Sequence, residues 1–128
     1  MGWKERPVSE LYRVEIEPEV RAWLDSLSDH DFKRVDEVVS LLAELGTRIG
    51  GPWSDHLEGP VRELRIRLRS IAARITYWIT PSRTIVLLTV FRKTKQHEQA
   101  QIDRAVRAQK VCDSEHHGPV NESYKREA

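Results

Sequence analysis

The sequence predicts an α+β domain of order β-α-α-β-β-β-α, and three observations predict it. Two apolar stripes at helical spacing lie between Pro18 and Gly46. Apolar residues then alternate at period two from Leu64 to Ile79. A strand-length run that is apolar on both faces, Ile85 to Phe91, follows them. Three consecutive strands on short turns make an antiparallel meander. A helical hairpin ahead of them is expected to pack on one face of it.

Local signals support each element in turn. Leu11 to Ile16 alternates apolar and polar residues and reads as a short strand. Pro18 suits a first helical residue, and Glu17 and Glu19 complement the helix dipole. Val20, Trp23, Leu24 and Leu27 recur on one face, which makes Trp23 a core residue. Ser28 caps a second helix with Asp31 at its third position, and His30 is an exposed residue at its start. Phe32, Val35, Val38, Val39, Leu42 and Leu45 form its stripe, and Gly46 ends it. Gly50-Gly51-Pro52 opens a loop expected to reach Pro60. Leu64, Ile66 and Leu68 then face one way and Glu63, Arg65, Arg67 and Arg69 the other. Ala73, Ile75, Tyr77 and Ile79 alternate on the next strand, and Thr80 to Arg83 is a turn. Gln96 to about Lys110 reads as a helix with Ile102, Ala105 and Val106 inward. One domain is therefore expected over residues 11–110, followed by a disordered tail over 111–128.

Net charge is only +1 in 128 residues, but its distribution is uneven. From Val61 to Lys95 there are nine Lys and Arg and a single acid, Glu63. That polarisation makes a local positive field. Cys112, the sole cysteine, excludes an internal disulfide and suits a reducing compartment; a surface position near the end of the fold is expected for it. Met1 to Arg6 is polar with no apolar stretch behind it, so no signal peptide is expected, and no apolar run is long enough to span a bilayer.

Arg65, Arg67 and Arg69 at spacing two point the same way on a strand, and Arg74 can join them across the turn. Arg62, Arg92, Lys93 and Lys95 extend the basic segment. Guanidinium groups hold phosphate bidentately and stay charged, so such a cluster can bind a nucleic-acid backbone. Trp53, Tyr77 and Trp78 lie in or beside it and could stack a base, although Tyr77 alternates with apolar neighbours as a core residue does. The bland reading is a solvated strand face. His56, His97 and the His116-His117 pair have no metal-ligand spacing, and no phosphate-binding glycine loop, nucleophile elbow or zinc motif is present.

Three segments carry a resemblance. Leu57 to Arg69 (Leu-Glu-Gly-Pro-Val-Arg-Glu-Leu-Arg-Ile-Arg-Leu-Arg), Ala73 to Tyr77 and Leu88 to Lys95 together resemble the RelE/ParE toxin superfamily. The Glu-Leu-Arg triplet and the Phe-Arg-Lys-Thr-Lys ending look most like its HigB-like, phage-derived branch. The resemblance spans about residues 11–110 and implies the same RelE-like fold. It also implies the toxin of a type II toxin–antitoxin pair that cuts messenger RNA in the ribosomal A site and inhibits translation. The reaction is an in-line attack of the 2′-hydroxyl, with no metal and no cofactor. The implied partners are a helix-turn-helix antitoxin, the ribosome with its mRNA, and operator DNA only through the antitoxin complex. The implied location is the cytoplasm, with no membrane partner.

The same resemblance assigns Arg65, Arg67, Arg74 and Lys93 to catalysis; Arg62, Arg69, Arg92 and Lys95, the rest of the basic segment, are expected to contact the RNA. The chain also departs from it. RelE-type enzymes carry lysines where Arg65 and Arg67 stand, and arginine is a poor general base. Gln99 is near the place of a family tyrosine, and Thr89 stands where many HigB-like chains have histidine. His56, Glu63 and His97 are the remaining acid–base candidates. Two other functions compete: a ParE-like protein that inhibits gyrase without catalysis, and an inactive homologue that acts in antitoxin-dependent repression.

Overall fold

The computed structural model describes residues 11–94, 98–115 and 122–123. Strand β1 is Arg13–Ile16, helix α1 Pro18–Asp25 and helix α2 Asp29–Leu45. Strands β2 (Ser54–Glu58), β3 (Val61–Arg67), β4 (Ala72–Ile79) and β5 (Thr84–Arg92) follow, then helix α3 (Gln99–Glu115) and a two-residue β6 (Glu122–Ser123). The six strands form one sheet in the order β2-β3-β4-β5-β1-β6. Strands β2 to β5 are an antiparallel meander, whereas β1 lies parallel to β5.

The two helices form where the sequence places their caps. Ser28 Oγ accepts the Asp31 backbone N–H at 3.1 Å, and Pro18 opens α1. Val20, Leu24, Val35, Val38, Val39 and Leu42 pack on Leu64, Ile66, Ala73, Ile75, Tyr77, Ile85 and Leu87, while Trp23 packs half-buried at the edge of this core. The helical hairpin thus covers one face of the meander. On the other face Trp78, Val86 and Leu88 pack with Cys112 of α3. Strand β5 feeds both clusters, which is why its sequence is apolar on both sides. None of the described helices is long and apolar enough to cross a membrane.

Two expectations need correction. The segment from Gly50 to Pro60 is not all loop: Ser54–Glu58 is an edge strand paired with β3 through a turn at Gly59, whose φ is +56°. Its composition hid it, because an edge strand needs little apolar content. Helix α3 also continues five residues past Lys110, and Cys112 is buried at 5% exposure, not on the surface. Its sulfur accepts the Trp78 indole N–H at 3.4 Å. The rest of the expected tail, apart from β6, lies outside the described residues.

Glu17 gives a test of this packing. It precedes α1 without a side-chain cap bond. Burial first, then the Glu115 and Glu15 carboxylates, raise its carboxyl above the ordinary range. A raised folded-state value means the folded protein holds that proton more tightly than the unfolded chain. The stability from this group is present at low pH and is lost as pH climbs through the unfolded and then the folded value. Glu17→Gln is therefore expected to raise the thermal midpoint at pH 7 and to change it little below about pH 4. A lower midpoint at pH 7 would show that the carboxylate is not disfavoured there.

Candidate functional site

The face of the meander not covered by the helical hairpin is only partly covered by α3. Beside α3 it presents the odd-numbered residues of β3. Cross-strand register sets Glu63 opposite Asp55 on β2 and Arg65 opposite Arg74 on β4. Directly opposed residues share a face, so these four side chains converge. Arg65 Nη2 donates to Asp55 Oδ2 at 2.9 Å and its Nε to Glu63 Oε2 at 3.1 Å. Arg74 Nε lies 3.6 Å from the same Glu63 oxygen. That distance is too long for a hydrogen bond, and Arg74 Nε is buried with no partner. The other described contact of its guanidinium is Nη1 to its own neighbour, the Ala73 carbonyl, at 3.3 Å.

Lys93 follows β5 and is anchored by its backbone N–H on the Ala72 carbonyl. Its Nζ lies 3.8 Å from Glu98, which in turn accepts the Thr94 backbone N–H at 2.8 Å. Arg67, at the end of β3, is exposed. The electrostatics centre on Arg74. Burial pushes its guanidinium below the ordinary arginine range; Glu63 and Glu98 work against that, while Arg65 and Arg67 add to it. A half-buried cation that has an unused donor and two like-charged neighbours is a place where an anion is favoured.

The sheet brings together Arg65, Arg67, Arg74, Lys93 and Glu63. It does not bring the other candidates to them. Arg62 shares the parity of Leu64 and sends Nε toward Tyr77 Oη at 3.4 Å, on the hairpin face. Arg92 opposes Ala73, a residue of the hairpin core, and so belongs to that face too. His56 alternates with Asp55 onto the side of Ser54, and its Nε2 is 2.8 Å from the Gly59 carbonyl. Arg69 lies exposed beyond the end of β3. Lys95 and His97 lie outside the described residues.

The aromatic residues are taken up by the fold. Tyr77 is fully buried with its hydroxyl 2.6 Å from Ser54 Oγ, and Trp78 is 5% exposed. Trp53 packs half-buried against the hairpin core under Arg34. Phe91, opposite Arg74, is the apolar neighbour of the site. Thr89 is buried, with its hydroxyl 2.6 Å from Thr76 Oγ1, and Gln99 donates to Asp103 at 2.8 Å.

Asp55 and Glu98 were not foreseen. Asp55 was hidden by the loop reading. The Gly59-Pro60 turn was the available signal, since a hairpin there sets Asp55 against Glu63. Glu98 reaches the site through the link between β5 and α3, which no periodicity marks.

Comparison with known proteins agrees with this architecture. Residues 22–110 match the family described as phage derived protein Gp49-like. No curated protein shows significant similarity. Among solved structures, a double-substituted form of E. coli toxin RelE in the free state is 17% identical, with TM-score 0.54, over 76% of this chain and 96% of that one. The archaeal RelE–RelB complex from Pyrococcus horikoshii OT3 gives 24% identity and TM-score 0.53, over 67% of this chain and 99% of that one. The fold is thus that of RelE, and with its family profile matched over most of its length the chain belongs to the phage-derived Gp49-like family.

Proposed function

We propose that this chain is the toxin of a toxin–antitoxin pair, acting in the cytoplasm as a ribosome-dependent RNA endonuclease of the HigB-like kind. The observation that carries the reading is the buried, unbonded Arg74 Nε set beside Arg65 and Arg67. A phosphodiester there gives Arg74 the acceptor that the protein does not supply.

The groups present suit an in-line reaction. The RNA 2′-oxygen attacks the adjacent phosphorus as the 5′-oxygen leaves, giving a 2′,3′-cyclic phosphate and a free 5′-hydroxyl. Arg74 and Arg65 hold the non-bridging oxygens as negative charge grows on them. The 2′-hydroxyl proton goes to a carboxylate. Glu63 is shared between two arginines and only 12% exposed, so it is tied down as a counter-ion. Asp55 is 61% exposed. Its Oδ2 accepts from Arg65 and its Oδ1 from the His56 backbone N–H at 2.9 Å. A carboxylate has about four lone-pair sites, so two remain toward solvent to receive the proton. Lys93, an ammonium at the rim, supplies a proton to the 5′-oxygen.

An antitoxin with an acidic segment fits over this face, and the archaeal neighbour is itself a RelE–RelB complex. The competing reading, a gyrase inhibitor without catalysis, draws on the carboxylates that already pair Arg65, Arg74 and Lys93. One experiment separates the two. After a short expression pulse without antitoxin, RNA sequencing is expected to show codon-linked cuts confined to translated messages. Intact messages together with a DNA-damage response would overturn the endonuclease reading in favour of the gyrase one.

A further inference from the structure

The described cations along and beside β3 differ in how they are paired. Arg65, Arg74 and Lys93 each face a carboxylate. Lys33, Arg67 and Arg69 form no ion pair with any described residue. These side chains, Lys33 from one part of the sequence and the neighbouring pair Arg67 and Arg69 from another, line one cleft of about 490 Å³ between the start of α2 and the end of β3. Arg34 lines it too, with its guanidinium carbon 6.0 Å from the Trp53 ring, and it also pairs with Glu37 at 3.4 Å. Asp31 is the other acid of the cleft. The cleft therefore holds four Lys and Arg against two acids, and its uncompensated charge exceeds that of the arginine face. Its volume is within the range of pockets that take small ligands.

The cleft shares Arg67 with the arginine face. Arg65 and Arg67 follow one another at spacing two, roughly 7 Å apart along the strand, and Arg69 stands just past its end. A strand of RNA fixed at Arg65 and Arg74 that runs along β3 passes Arg67 and enters the cleft at Arg69. We propose that this cleft is a second RNA-backbone site, and that it binds phosphates of the same strand whose scissile phosphate lies at Arg74. The inference rests on the RNA-cutting reading and extends it to α2, where Lys33 becomes an RNA contact. Exposed cations without partners attract a polyanion without the cost of breaking an ion pair, so affinity rather than chemistry is what the cleft adds.

The test uses the full chain and 2′-O-methyl RNA, which cannot be cut. Fluorescence anisotropy is measured on labelled oligonucleotides of four and twelve nucleotides. The twelve-mer is expected to bind more tightly than the four-mer. Lys33→Glu is expected to weaken the twelve-mer about tenfold at low salt and to lower the log–log salt slope by about 0.7 for each phosphate that is no longer neutralised. The four-mer should be unaffected, and Lys33→Arg should bind as the parent does. Lys33 is exposed, and its exchange removes no core packing and adds only like-charge neighbours of small cost, so the variant keeps its fold. Unchanged twelve-mer binding, an equal loss for both lengths, or no twelve-mer binding by the parent each overturns the cleft. RNA cleavage by the parent on ribosomes is scored separately. A Lys33 effect without any cleavage leaves the cleft standing and removes the endonuclease reading. Cleavage without a Lys33 effect does the opposite.

Discussion

Arg74→Ala is expected to lower the rate of RNA cleavage by on the order of a hundredfold to a thousandfold, the cost of deleting one pre-placed donor at a phosphoryl transition state. The fold should survive it. Deleting one partner of a buried ion pair is ordinarily expensive because the other charge is stranded. Here Glu63 keeps Arg65 Nε at 3.1 Å, so it is not stranded. The deletion also removes a guanidinium whose burial is unfavourable and whose Nε has no partner. These effects oppose one another, and a stability change within about 1.5 kcal/mol is the expected balance. Arg74→Lys keeps the charge but loses the fork, so it should fall between the parent and Arg74→Ala. Ribosome-bound cleavage rates and thermal midpoints of the three proteins decide the matter. Full activity in Arg74→Ala, or a loss that only tracks unfolding, removes Arg74 from the site.

The fold was legible because its core positions are periodic. The stripe on α2, the alternation on β3 and β4 and the two-sided apolar run of β5 all report burial, and burial is what decides those residues. Arg65, Arg67 and Arg74 were legible for the same reason, since parity on a half-buried strand fixes direction. Parity also carried the information that separates Arg62 from them, because Arg62 shares the face of Leu64. Arg92 was different. The register of β5 against β4 shifts between Thr76 and Tyr77, and a bulge of that kind reverses which face later residues take. Asp55 needed the edge strand β2, whose polar residues carry no burial signal. Glu98 needed the path of a link. What stayed hidden is therefore long-range: register, edge pairing and chain direction between elements.

Gly46→Ala is expected to destabilise the protein by about 3 kcal/mol or more, from two independent costs. The first is conformational: Gly46 ends α2 at φ +54° and ψ −123°, where a residue with a β-carbon is strained by roughly 1–3 kcal/mol. The second is steric. A β-carbon there would sit 1.9 Å from Tyr12 Cε1 and 2.1 Å from its Cζ, far inside contact distance. The ring cannot easily move aside. Its backbone N–H is bonded to the Ala43 carbonyl at 2.9 Å, and Arg83 lies 4.0 Å over its face. Gly46 thus lets the end of α2, the entry to β1 and the β4–β5 turn meet. A midpoint drop of roughly 12 °C or more follows for a domain of this size. Tyr12→Ala should lower stability by itself but open the space, so that adding Gly46→Ala to it costs only the conformational part. That sub-additivity, read in a double-mutant cycle, identifies the ring as the obstacle. The cleavage rate per folded molecule should hold, because Arg74 lies five residues, roughly 17 Å, from the Ile79 end of β4 that leads into the turn. A Gly46→Ala protein that melts within two or three degrees of the parent would show that the ring yields and that this junction is not fixed by glycine.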